Sequence, residues 1–215
     1  VSPFLNQMAM FLVQITLNNT LTYYGALSHY GEDIPLACVG VISKVNILML
    51  GFTLGISQGC QPIFSYNYGA RQYSRVREAY RKAIVAASII CCIAFVCFQL
   101  FPRPIVALFD PSGSEEYFQF AERYFRIYMF MTLANAFQPI TANFFTSIGK
   151  AKRGALIALT RQVIFLIPLI LIFPLFLGID GVMYAGPIAD SAAVVVALAL
   201  VTREMKRMPH VDEPV

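Results

Sequence analysis

A chain of 215 residues that is 58% hydrophobic and only 13% charged cannot cover itself with a water-soluble surface, because soluble domains carry roughly 25% charged residues. Its net charge of +4 comes from basic residues at the ends of apolar blocks rather than along one face, which excludes a nucleic-acid-binding module. The blocks are about 20 residues long, enough to cross a hydrocarbon core of roughly 30 Å, so the chain reads as an all-α membrane protein with six transmembrane helices.

The first span opens at Ser2-Pro3, an N-cap and first-turn pair, and runs to about Leu27. The second covers roughly 34–66, long enough to tilt or to project past the lipid. The third covers about 79–101 and is halted by Pro102 and Pro104. The fourth follows the acidic Glu115-Glu116 and covers about 117–148. The fifth covers about 155–177 and the sixth about 181–203, which makes a six-helix unit of 1–203 and a polar tail of 204–215. The chain starts at Val1, without a methionine or a cleavable signal pattern, and is expected to be a piece of something longer.

Charge alternates between the two ends of these spans. The loops near 28–35, 102–116 and 178–181 hold Glu32, Asp33, Asp110, Glu115, Glu116 and Asp180, balanced only by Arg103. The segments near 69–82, 150–153 and 203–207 hold Arg71, Arg75, Arg77, Arg81, Lys82, Lys150, Lys152, Arg153, Arg203, Lys206 and Arg207. The positive-inside rule then puts both termini in the cytoplasm and the chain in a cell (inner) membrane as a multi-pass protein.

Pro62, Pro139, Pro168, Pro174 and Pro187 lie inside the spans, where neighbouring groups can satisfy the freed carbonyls and bends can serve as hinges or cavity walls. Gly51, Gly55 and Gly59 recur at four-residue spacing, which predicts close helix packing through a small-residue stripe. Gln61-Pro62-Ile63 in the second span is echoed by Gln138-Pro139-Ile140 in the fourth, too short a match to prove a repeat.

Polar side chains inside a membrane are costly and face protein, water or a ligand. Gln7, Gln14, Asn18 and Thr22 fall within about 80° of one another at roughly 100° per residue, with Asn19 beside them. Tyr128, Met131, Asn135, Gln138 and Ala142 line one face of the fourth span. Two such stripes point to a shared hydrated cavity; the alternative is that the amides only bond one another across a helix interface. Asp190, near the middle of the sixth span, is an ion-coupling candidate. An ionised carboxylate there costs on the order of 3 kcal/mol unless it is paired, hydrated or protonated. Lys44 lies at a comparable depth, and a structural Lys44–Asp190 ion pair is the competing reading. Arg161 is expected to snorkel to the nearer end of its span.

Enzymatic chemistry has no support. Gly55-Ile56-Ser57-Gln58-Gly59 matches a nucleophile-elbow pattern that requires a strand-to-helix turn and a histidine base. Here it lies in an apolar helix, and His29 and His210 are the only histidines, in a loop and the tail. Cys38, Cys60, Cys91, Cys92 and Cys97 have neither metal-site nor disulfide spacing. No catalytic residue, metal site or cofactor is expected.

Four segments carry a resemblance to a known family: Gln14 to Gly25 (QITLNNTLTYYG), Gln61 to Ala70 (QPIFSYNYGA), Phe137 to Lys150 with its Ser-Ile-Gly-Lys ending, and Pro187 to Asp190. The glycine-rich helix, Gln-Pro step, Asn-x-Gly-Ala turn and basic helix start resemble the multidrug and toxic compound extrusion (MATE) family, most of all its DinF-like and MepA-like branch. The resemblance implies one lobe, the C-terminal one, of a twelve-helix transporter, partnered by an N-terminal six-helix lobe. It implies export of small organic, cationic or amphipathic compounds in exchange for Na+ or H+ by alternating access. Gln14 and Asn135 fall near positions where some members carry acidic coupling residues, so this lobe departs from that pattern. Amides at Gln14, Asn18, Asn135 and Gln138 would orient a cation without trapping it, with apolar and aromatic surface supplying affinity. A lipid-linked oligosaccharide flippase of the same superfamily, or a non-transporting membrane scaffold or half-transporter, are the alternatives.

Overall fold

The computed structural model describes residues 2–111 and 113–209; within them, the side chains of Ser2, Pro3, Leu5, Asn6 and Asn135 lie outside the described part. The capping role expected of Ser2 therefore falls outside it too. The described residues form helices joined by short turns: α1 (Ser2–Ala26), α2 (Asp33–Gly69), α3 (Tyr73–Leu100), α4 (Pro102–Phe109), α5 (Glu115–Tyr128), α6 (Ala134–Ser147), α7 (Ala151–Leu159), α8 (Ile167–Leu177) and α9 (Ile179–Arg207). Four stretches are long and apolar enough to cross a membrane: Asp33–Gly69, Tyr73–Leu100, Ala151–Leu177 and Ile179–Arg207. α1 is long enough at 25 residues, but its amides lower its apolarity. The remaining crossing, α5 to α6, is broken.

Two of the expected single spans are interrupted. The fourth, expected as one helix over 117–148, passes from α5 through a 3-10 turn at Met129–Met131 before α6 begins. The Thr132 hydroxyl donates to the Met129 carbonyl there and so competes with the regular helical bond. The fifth opens into a π segment, Thr160–Leu166, between α7 and α8. Ile167 N–H reaches five residues back to the Gln162 carbonyl, and Pro168 has no N–H with which to restore the ordinary ladder. Pro102, expected only to stop a helix, also starts the short α4, where its missing N–H costs nothing.

Packing follows from the sequence pattern. Phe64, Phe144 and Phe145 are fully buried, with Tyr80 beside them, knitting α2, α3 and α6. Polar groups in this core are used. Ser57 Oγ donates to Pro139 O at 3.3 Å, Asn143 Nδ2 to Ser57 O at 3.0 Å, and Tyr80 and Thr141 share a 2.7 Å hydroxyl bond. Ser57 is thus a helix tie, and the two Gln-Pro-Ile steps belong to helices packed on each other. The outside is apolar: Ile47, Phe52, Leu108, Leu175 and Phe176 are all more than 60% exposed, a surface suited to lipid and costly in water.

The two ends differ as the charge pattern predicts. At the acidic end, Arg103 bonds Glu115 at 2.6 Å and Arg123 bonds Asp180 at 2.8 Å, both in the open. Ser114 caps α5, its Oγ accepting from Tyr117 N–H at 3.2 Å. Gly178 turns α8 into α9 at φ 61° and ψ −142°, a conformation open to glycine alone. At the basic end, Arg77 donates to the carbonyls of Met208 and Pro209 at 2.9 and 2.8 Å. Glu204, buried, takes ion pairs from both Lys150 and Arg153. The sixth span therefore continues past Arg203 to Arg207, and Glu204 to Pro209 pack onto the lobe. His210 to Val215 lie outside the described residues.

Candidate functional site

The α1 stripe faces out of the lobe. Gln7, Gln14 and Asn19 are exposed, and Asn18 and Thr22 half-buried. Val13, Leu17 and Leu21, each about 100° round the helix from a stripe residue, pack inward. Gln14 Nε2 donates to Asn18 Oδ1 at 3.2 Å, one turn along, which leaves each amide with capacity for further partners. Toward the acidic end the stripe meets a shallow depression of about 380 Å³ lined by Asn19, Thr22, Tyr23, Ala26, Leu27 and Glu32.

The fourth-span candidates separate. Gln138 Nε2 donates to Ile157 O at 3.1 Å and ties α6 to α7. Met131 is half-buried in the 3-10 turn. Asn135 is on α6, but its side chain lies outside the described residues. Gln14 and Asn18 present themselves outward, while Gln138 serves packing.

Tyr128 joins a different group. Its ring lies so close over Gly186 that a Cβ there would meet Tyr128 Cε2 at 2.5 Å. Its hydroxyl lies beside the Arg161 guanidinium, and Arg161 Nε donates to Asp190 Oδ1. The Arg161 and Asp190 side chains are 11% and 8% exposed, which makes this an ion pair well inside the bundle. The expected Lys44–Asp190 pair is not formed: Lys44 is exposed on α2. Nor does Arg161 snorkel. The π segment and the fold-back at Gly178 set it at the depth of Asp190, and in a low-dielectric interior a nearby carboxylate outcompetes a distant water surface. The missed signal was the α8–α9 hairpin, which places residues on either side of Gly178 opposite each other.

The glycine stripe also departs from expectation. Gly51, Gly55 and Gly59 are exposed, and a Cβ on any of them would meet nothing within 4 Å. No helix of this chain packs into them.

Comparison with known proteins covers nearly all of the chain. The MatE family model matches residues 7–172. The multidrug export protein MepA of Staphylococcus aureus (strain bovine RF122 / ET3-1) is 22% identical over 203 residues, which are 94% of this chain and 42% of that protein. MepA of Staphylococcus haemolyticus is also 22% identical over the same shares. A MOP superfamily transporter from Pyrococcus furiosus superposes with a TM-score of 0.85 at 19% identity, over 95% of this chain and 44% of that one. An inward-facing multidrug resistance MATE family transporter gives 0.85 at 20%, over 95% and 46%. The chain thus spans less than half the length of the relatives it matches.

Proposed function

Because the chain belongs to the MatE family of transporters, we propose that it works as the C-terminal six-helix lobe of a secondary active exporter. The lobe runs to the end of α9 at Arg207, the tail after it is cytoplasmic, and both termini face the cytoplasm of a cell membrane. The N-terminal six-helix lobe of the same protein supplies the other wall of the transport path. Substrates are small organic, cationic or amphipathic compounds, exchanged for Na+ or H+ as the lobes alternate their opening.

The observation that carries this reading is the outward amide stripe of α1. Gln14 and Asn18 lie at a surface where exposed side chains are otherwise largely apolar. A polar stripe turned into lipid costs free energy, so the stable arrangement turns it toward a watery path shared with another bundle. Tyr128, Met131, Asn135 and Gln138 remain candidates for the wall of that path, with Gln138 engaged to Ile157 in this conformation. Asp190 is the coupling candidate, and ion and substrate are linked through the states that each stabilises. A scaffold with no transport role would have its polar faces packed shut, and α1 argues against that. A flippase for phosphate-bearing lipids needs cations in the path, and Arg161 is already committed to Asp190.

The test is dye efflux and drug resistance in cells lacking their own pumps and expressing the full-length protein. The intact protein is expected to raise both. Gln14→Ala with Asn18→Ala is expected to lower efflux without lowering the amount of folded protein. Asp190→Asn, which keeps an acceptor for Arg161, is expected to abolish ion-driven efflux. Resistance and efflux unchanged by the intact protein would overturn the reading.

A further inference from the structure

Three departures from regular helix converge on one buried charge cluster. Tyr128 is the last residue of α5, immediately before the 3-10 turn. Arg161 is the second residue of the π segment. Asp190 lies one turn past Pro187 in α9, where Ser191 Oγ takes the Pro187 carbonyl at 2.7 Å. Tyr128 and Arg161 are thus attached at irregular backbone, and Asp190 one turn past a proline that removes a single ladder bond; irregular backbone rearranges at lower cost than a regular turn.

The surroundings leave Asp190 few other partners. α1 up to Thr22, α6, α8 and the 3-10 turn contain no titratable side chain. On α7, Arg153 is held by Glu204 at the basic end and Lys152 is exposed. On α5, Arg123 is held by Asp180 at the acidic end. Arg161 is therefore the internal cation of Asp190, and the Tyr128 hydroxyl beside the guanidinium can serve as its second acceptor. Tyr124, fully buried and one stacked ring further along α5 at 5.7 Å, has a hydroxyl with no partner among the described residues.

We propose that Arg161 acts as a built-in competitor for Asp190, displaced onto Tyr128 when a proton or Na+ takes the carboxylate, and that this exchange reshapes the π segment and the break after Tyr128. The inference rests on Asp190 being the coupling group, and it names Arg161 and Tyr128 as positioning residues. A guanidinium released into the interior without an acceptor would be prohibitively unfavourable. The Tyr128 hydroxyl holds it during the exchange, and the ring contact with Gly186 keeps that hydroxyl in place.

The competition makes predictions of opposite sign. Tyr128→Phe removes the alternative acceptor, so Arg161 holds Asp190 against incoming ions and the ion concentration for half-response rises, by about tenfold for one hydrogen bond to a charged group. Arg161→Lys replaces a planar fork by a single ammonium, loosens the competitor and lowers that concentration. A purely structural pair predicts loss in both variants and no opposed shift. The measurement is hydrogen exchange by mass spectrometry on the purified full-length protein. Peptides covering 129–133 and 160–166 are followed while Na+, and separately acid, is titrated. Expected are faster exchange in both segments as the ion is added and midpoints that move in opposite directions in the two variants. Exchange that ignores both ions in the wild type, or midpoints that stay together, overturns the proposal. Efflux is scored on the same preparations in vesicles, so a protein that responds to ions but exports nothing defeats the exporter reading and leaves the exchange mechanism standing.

Discussion

Two carboxylates of α9, Asp190 and Glu204, are buried and paired with basic side chains, yet their settings differ. Glu204 is 1% exposed and, within a run of regular helix, holds Lys150 and Arg153 at the start of α7. Asp190 is 6% exposed and holds a single arginine in a π segment, with a proline one turn before it. The first arrangement fastens α9 to the start of α7 at the basic end, where the two cations remain about one third exposed and water shares their solvation. The second has both side chains largely buried, its arginine carried by the π segment and its carboxylate by α9 one turn past Pro187. Burial and pairing are common to both carboxylates; what differs is the backbone of the partner cation, regular for Glu204 and a π segment for Asp190.

The largest effect that tests this contrast is expected at the clamp. Glu204→Ala leaves Lys150 and Arg153 facing each other, and should cost about 3 kcal/mol, read as a lower thermal midpoint of the full-length protein in detergent. If the midpoint is unchanged, Glu204 is no clamp. Next is Gly186→Ala, where the new methyl would meet the Tyr128 ring and should cost about 2 kcal/mol by overpacking. It should also move Tyr128 off Arg161 and impair ion-driven efflux more than Gly186→Ala impairs stability.

Gly55→Ala sharpens the comparison from the other side. Its Cβ enters open space in this chain, so it should leave the fold intact and stabilise α2 by about 0.5–1 kcal/mol through helix propensity. Reduced efflux alongside that gain would mean that the proposed partner lobe closes on this face; unchanged efflux would mean that nothing functional does.

The smallest effect is at the exposed acidic end. The hydrogen bond from Arg103 holds the Glu115 carboxyl below the ordinary carboxylate range, against a small opposing contribution from burial. A carboxyl with a lowered folded-state pKa adds stability above its unfolded value, near about 4.3, and loses it as pH falls through the folded one. The wild-type thermal midpoint should therefore fall slightly more between pH 6 and pH 3 than that of Glu115→Gln, and the difference should shrink in high salt.

Much of the architecture was legible in the chain itself. Apolar block length marks the crossings, and the alternation of acidic and basic loops sorts their ends, because both depend on local composition against a bilayer of fixed thickness. The face of α1 was equally legible, since Gln14 and Asn18 share a helical face whatever the helix packs on. The breaks at Met129–Met131 and Thr160–Leu166 were not, because Thr132 and Pro168 are compatible with a continuous helix until neighbours fix where the carbonyls go.

Which charges meet was decided by tertiary structure alone. Depth along a span suggested Lys44 for Asp190, but depth says nothing about rotation. Arg161 reaches the acid because the Gly178 turn lays α8 against α9 and the π segment rotates its side chain inward. The exposed Gly51-Gly55-Gly59 face carries the same lesson: spacing shows that a helix can approach closely there, and only the packed bundle shows that none of this chain's own helices does.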